Sequence, residues 1–192
     1  MGELILSLLI LSMLVLWPSP GSAAARSEQI AASPQLITPG TVSAATDPYA
    51  PLRLYDGKWD LLPESGDKPG ATVHIENRCA KVGEFFACNQ IVNGKNMALV
   101  IFLPTHPSGS SGYAYHNQAL GVEDGGSGSW GNLEIVGDRW VYSSDETDHG
   151  KKIYHRTINV FSGSDKIHFE VQWSEDGANW TTKMSGDEAR AK

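Results

Sequence analysis

Tyr154-His155-Arg156-Thr157-Ile158-Asn159-Val160-Phe161-Ser162-Gly163-Ser164-Asp165-Lys166-Ile167-His168-Phe169-Glu170-Val171-Gln172-Trp173 decides the fold class of this chain. Two runs that alternate apolar with polar residues flank a Gly-Ser pair, and glycine at the first central position suits a tight hairpin turn. A two-residue turn at Gly163-Ser164 predicts Val160 opposite Ile167, Ile158 opposite Phe169, Arg156 opposite Val171 and Tyr154 opposite Trp173. His155, Thr157, Asn159, His168, Glu170 and Gln172 then share the other face. One apolar face and one wet face is the signature of an antiparallel sheet curved around a core.

The same turn chemistry recurs at Gly83-Glu84, Asn93-Gly94, Gly137-Asp138 and Asp176-Gly177, with a looser case at Asp124-Gly125. Asn93-Gly94 predicts Val92 opposite Lys95 and Cys88 opposite Leu99. Gly137-Asp138 sets Trp140 against Ile135 and Tyr142 against Leu133, and Asp176-Gly177 sets Trp173 against Trp180. No long helical pattern interrupts them. The fold class is therefore all-β, an antiparallel up-and-down meander of about nine or ten strands closing into a barrel. A sandwich of immunoglobulin type would need long crossovers and two widely separated cysteines around a tryptophan.

At Gly83-Glu84 the turn pairs Val82 with Phe85, and counting outward sets Cys79 opposite Cys88 in a non-hydrogen-bonded pair. That is the antiparallel pair whose α-carbons come closest, within reach of a disulfide. Two small buried thiols are the other reading. The spacing does not suit a redox pair, and no histidine or further cysteine is placed beside them to hold zinc.

Residues 1–25 read as an export signal: Leu4 to Trp17 is nearly unbroken apolar sequence, then come the breakers Pro18 and Pro20 and the cleavage-like Ala23-Ala24-Ala25. Glu3 and the lack of Lys or Arg ahead of the apolar run depart from the usual signal, and an uncleaved anchor is the alternative. Residues 26–50, rich in Ala, Ser, Thr and Pro, read as a disordered tether. Residues 51–186 form the barrel domain and 187–192 a C-terminal tail, giving a periplasmic or secreted protein. The net charge of −7 becomes −6 when Glu3 leaves with the signal, and no Lys/Arg cluster exists. That balance speaks against nucleic acid as a partner, and cleavage of the signal leaves no integral membrane segment.

Gly57-Lys58-Trp59 resembles the G-x-W signature of the first strand in lipocalins and other calycins. The closing segment from Phe169 through Ser174-Glu175-Asp176-Gly177-Ala178-Asn179-Trp180 resembles the strand-S-x-D-G-x-x-W-strand ending of a bacterial, often exported family of unknown function with a lipocalin-like barrel. The resemblance implies a barrel closed at its base by Trp59, with a lumen that holds small, usually apolar ligands.

Candidate contacts follow from the predicted inward faces. Arg156 is a lone cation among Tyr154, Ile158, Val160, Phe169, Val171 and Trp173, a costly place for a charge unless it is paired. It is either a lumen anchor for a ligand anion or half of a structural ion pair. Tyr113, Tyr115, Tyr142 and Tyr154 would add polar contacts, with Trp59 and Trp173 in the wall. The six histidines are scattered without convergence on the lumen, so neither haem nor a metal is expected, and no cofactor. Asp145-Glu146-Thr147-Asp148-His149 offers oxygen ligands but lacks calcium-loop spacing and reads as a solvated hairpin tip. Three functions remain open. The first is a non-enzymatic barrel binding a small apolar or amphipathic molecule with a polar or anionic end. The second is an isomerase or lyase using Arg156 and a tyrosine. The third is a structural module or homodimer using the strand 97–103, which is apolar on both faces.

Overall fold

A computed structural model describes residues 47–105, 112–123, 125–126 and 128–192. The proposed export signal, most of the tether and Asp124 lie outside them. After a 3-10 turn at Pro51–Tyr55 come ten strands: β1 (Gly57–Pro63), β2 (Val73–Val82), β3 (Phe85–Val92), β4 (Lys95–Pro104), β5 (Tyr113–Gly121), β6 (Gly128–Val136), β7 (Arg139–Asp148), β8 (Lys151–Phe161), β9 (Lys166–Ser174) and β10 (Thr181–Arg190). Each strand pairs antiparallel with its sequence neighbours, and β1 pairs with β10 to close the barrel. Closure removes the open edges that would otherwise recruit other chains.

Several hairpins have the predicted register. Val82 faces Phe85, Cys79 faces Cys88 with α-carbons 4.0 Å apart, and the two sulfurs are bonded. Ile135 faces Trp140 and Leu133 faces Tyr142. Asn93 and Gly94 both have positive φ, as a type I′ turn requires. His149 and Gly150 do the same between Asp148 and Lys151, a turn hidden by the non-glycine residue at its first position. The disulfide closes a short ring, which by loop-closure entropy stabilises the fold by about 2 to 3 kcal/mol.

The β8–β9 hairpin departs from expectation by one residue. Gly163 to Asp165 form a three-residue loop closed by a Ser162 N–H to Lys166 carbonyl hydrogen bond of 2.9 Å, so Phe161 faces Ile167 and Val160 faces His168. A shift of one residue turns every side chain of one strand to the opposite face. β9 keeps Ile167, Phe169 and Val171 buried, so β8 is the strand that turns over. Phe161, Asn159, Thr157 and His155 point inward; Val160, Ile158, Arg156 and Tyr154 point out. Two smaller corrections have similar origins. A bulge at Gln90/Ile91 sets Cys88 opposite Val100 rather than Leu99. The loop after β9 is longer than a two-residue turn, so Trp173 faces Thr181 rather than Trp180. In that loop the Asp176 carboxylate accepts the Ala178 and Asn179 backbone N–H groups, which hold its pKa well below the usual range.

Both domain boundaries also move. Tyr49, in the segment assigned by composition to the tether, is 2 % exposed, stacking on Phe86 at 5.6 Å and Tyr115 at 6.3 Å. The Tyr115 hydroxyl donates to the Pro48 carbonyl at 2.5 Å, and the Tyr49 hydroxyl donates to the Glu84 carbonyl. Residues 187–190 are not a tail but the end of β10, paired with β1. Gly186 permits that pairing at close range: a Cβ there would lie 2.3 Å from the Leu62 carbonyl oxygen.

Candidate ligand-binding lumen

The inward faces of the strands build a barrel with a plugged base. Trp59 is fully buried and donates its indole N–H to the Tyr55 carbonyl at 3.1 Å. Arg190 lies 4.4 Å from the Trp59 ring and donates to the carbonyls of Leu54, Asp56 and Ser164, pinning the 3-10 turn under the barrel. Trp140 packs on Phe161 at 4.5 Å beside Tyr55. These rings fill the cross-section, so the lumen is closed at this end.

Above the plug the side chains shrink and become polar, and a cavity opens. The centre of a water molecule can move through about 70 Å³ of it, against roughly 10–15 Å³ needed for one water. Its walls are Leu61, Ile75, Val100, Phe102, Ala119 and Phe169, interleaved with Gln90, Asn117, Asn159, Thr157, Tyr55, Tyr142 and Glu188. Toward its mouth, Ser144 and His155 face each other across β7 and β8.

Glu188 is the unexpected member. It lies between Leu61 of β1 and Ile167 of β9, is 7 % exposed, and its carboxyl makes no hydrogen bond or ion pair with any described residue. Burial raises its pKa from the ordinary 4.5 to about 7, because a charge in this setting loses its hydration. Burial also raises the phenols of Tyr55 and Tyr142, which therefore stay neutral donors. The Tyr142 hydroxyl and the Gln90 carbonyl oxygen are buried without hydrogen-bond partners among the described residues. Gln90 donates its amide to Asn77 at 3.3 Å, and Asn77 donates to the Tyr55 carbonyl at 3.3 Å, which fixes the glutamine with its oxygen unmatched.

The candidates read from the sequence are divided by this geometry. Tyr142 borders the cavity. Tyr115 points inward but serves the plug through Pro48, with Tyr113 half-buried beside it. Trp59 forms the base, and Trp173 sits at the far end of β9 with the Lys183 ammonium 5.5 Å from its ring. Tyr154 is outside, under Lys152. Arg156 is outside as well: its guanidinium lies 3.9 Å from the Trp180 ring and donates from Nε to Gln172 at 2.6 Å. Arg156 thus borders the cavity while its guanidinium is engaged by Trp180 and Gln172 on the other face of β8. His155, expected on the wet face, points inward and bonds Glu146 at 3.0 Å. Asp145 and Glu146, read together as a solvated tip, diverge: Asp145 pairs with Lys152 outside and Glu146 with His155.

Glu188 escaped detection because its strand is Thr181-Thr182-Lys183-Met184-Ser185-Gly186-Asp187-Glu188-Ala189-Arg190, with scarcely an apolar residue to mark a face. The one available signal is phase, since Glu188 lies two and four residues beyond Gly186 and Met184.

The outward position of Arg156 has a direct test. Arg156→Met removes one half-buried cation–aromatic contact and one charge-assisted hydrogen bond to Gln172, and should cost about 1 to 3 kcal/mol. Thermal melting checks this.

No family model matches this chain, and no curated protein matches it. Among solved structures, the one titled "Crystal Structure of Rv2717c from M. tuberculosis" is similar at 15 % sequence identity, over 77 % of this chain and 99 % of that one, with a TM-score of 0.39.

Proposed function

We propose that this protein is an exported barrel that binds a small, ring-sized molecule in its lumen, with apolar walls around the body of the ligand and a polar floor for one hydrogen-bonding end. One observation carries the reading: a cavity with apolar walls ends in the buried, unpartnered polar atoms of Gln90 and Tyr142 and the unpaired Glu188. Buried polar atoms without partners are costly, and a cavity that presents them beside apolar walls has the composition of a ligand pocket. The Cys79–Cys88 disulfide supports an oxidising destination. The ligand end is polar rather than anionic, since the Arg156 guanidinium is engaged by Trp180 and Gln172 and does not offer the lumen a counter-charge for an anion.

Benzyl alcohol matches this description, with an aromatic body and one hydroxyl. In a titration followed by NMR it should shift resonances of Ala119, Tyr142 and Phe169, and toluene should shift them less at equal concentration. Shifts confined to the outer surface around Trp130, or none at all, would remove the lumen from consideration as a binding site.

A further inference from the structure

Resting on the lumen reading above, we propose that the occupant is a cation, a small primary amine whose ammonium group sits against Glu188 and the Gln90 carbonyl, and that its binding expels one proton from the protein.

The chargeable groups of the cavity carry the argument. Apart from phenols, the lining residues that can hold charge are Glu188, His155 and Arg156. Arg156 sends its guanidinium outside to Trp180 and Gln172, and His155 is occupied by Glu146. Among the described residues the lumen thus has a carboxyl on its floor and no cationic group directed at it. The unmatched oxygen of Gln90 is an acceptor as well. A site that offers acceptors and a carboxyl calls for a ligand end made of donors, and an ammonium supplies three donors and no acceptor. The rings of Tyr55, Tyr142, Phe102 and Phe169 in the same wall also suit a cation, which is drawn to aromatic faces.

The titratable groups facing Glu188 are the phenols of Tyr55 from the 3-10 turn and Tyr142 from β7, with Tyr115 of β5 next to Tyr142. β1 and β9 present Leu61, Ile167 and Phe169, and β8 contributes His155 nearer the mouth. In the free protein the carboxyl retains its proton up to about pH 7 because nothing offsets a charge there. When the ammonium enters, Glu188 ionises: the O–H bond breaks, the proton goes to solvent, and the carboxylate accepts N–H donors from the ligand. Two isolated charges that would be costly alone become one neutral pair.

The test uses the full chain with benzylamine, and benzyl alcohol as the uncharged control. Benzylamine affinity should weaken roughly tenfold between pH 8 and pH 6, and calorimetry in two buffers of different ionisation enthalpy should find about one proton released at pH 6. Glu188→Gln should weaken benzylamine tenfold or more at pH 8 and abolish its pH slope, a larger loss than the same change causes for benzyl alcohol. A slope that persists in Glu188→Gln belongs to His155 and overturns the proposal. So does a wild-type protein that binds benzyl alcohol but takes benzylamine no more tightly at pH 8, or releases no proton, an outcome that leaves the lumen reading intact. Failure of both probes to enter the lumen overturns both. Should the variant not fold, the wild-type slope and proton count decide the matter by themselves.

Discussion

Tyr49→Ala should lower stability by about 3 to 5 kcal/mol, the range for removing a buried aromatic ring. The residue precedes the first strand, yet its ring lies between Phe86 and Tyr115 in the plug. With the ring gone, the Pro48 carbonyl also loses its fixed position against the Tyr115 hydroxyl. For a domain of this size the melting temperature should fall by about 10 °C or more. Tyr49→Phe keeps the stack and loses only the hydrogen bond to Glu84, so its loss should be about 1 kcal/mol. Calorimetric melting of the two variants beside the wild type checks both numbers. Equal melting of all three would mean that the segment before Pro51 contributes nothing to the fold.

Glu188→Gln should make the protein more stable, and only above the acid range. The native pKa of about 7 exceeds the ordinary 4.5, so between these values the folded protein binds more protons than the unfolded chain. Stability therefore falls as pH rises through that window and is constant for this group above and below it. Integrated, the wild type loses about 3 kcal/mol between pH 4.5 and pH 7. Glutamine cannot ionise. The stability difference between the variant and the wild type should be smallest near pH 4, grow through pH 6 and level off near pH 8. Urea unfolding at three or four pH values measures it, and comparison at each pH cancels the other titrating groups. A difference independent of pH would mean that Glu188 keeps an ordinary carboxyl pKa.

These two residues also show where reading the sequence stops. The disulfide was legible because Gly83-Glu84 lies close to both cysteines, and a short count carries little error. The turn at Gly137-Asp138 worked for the same reason, placing Tyr142 correctly on the inner wall. At Gly163-Ser164 the local chemistry was right but the loop was longer by one residue, and that residue turned the Arg156 guanidinium from the predicted inward face of β8 to the face of Trp180 and Gln172. Both faces of β8 can be read as the buried one: Ile158 and Val160 make one plausible, while Phe161 supports the other.

Glycine-bearing turns and alternating side chains are local properties, so the sequence by itself determined an all-β antiparallel meander, the position of most hairpins and the pairing of Cys79 with Cys88. The interior was decided by tertiary structure alone. Closure of β1 onto β10 joins residues more than a hundred positions apart and draws Glu188 into the core. No local pattern marks a polar strand as buried; only the surrounding barrel does that. Burial of the same carboxyl, and with it the raised pKa that distinguishes this lumen, is a consequence of that closure and of the plug of Tyr49, Trp59 and Trp140 beneath it.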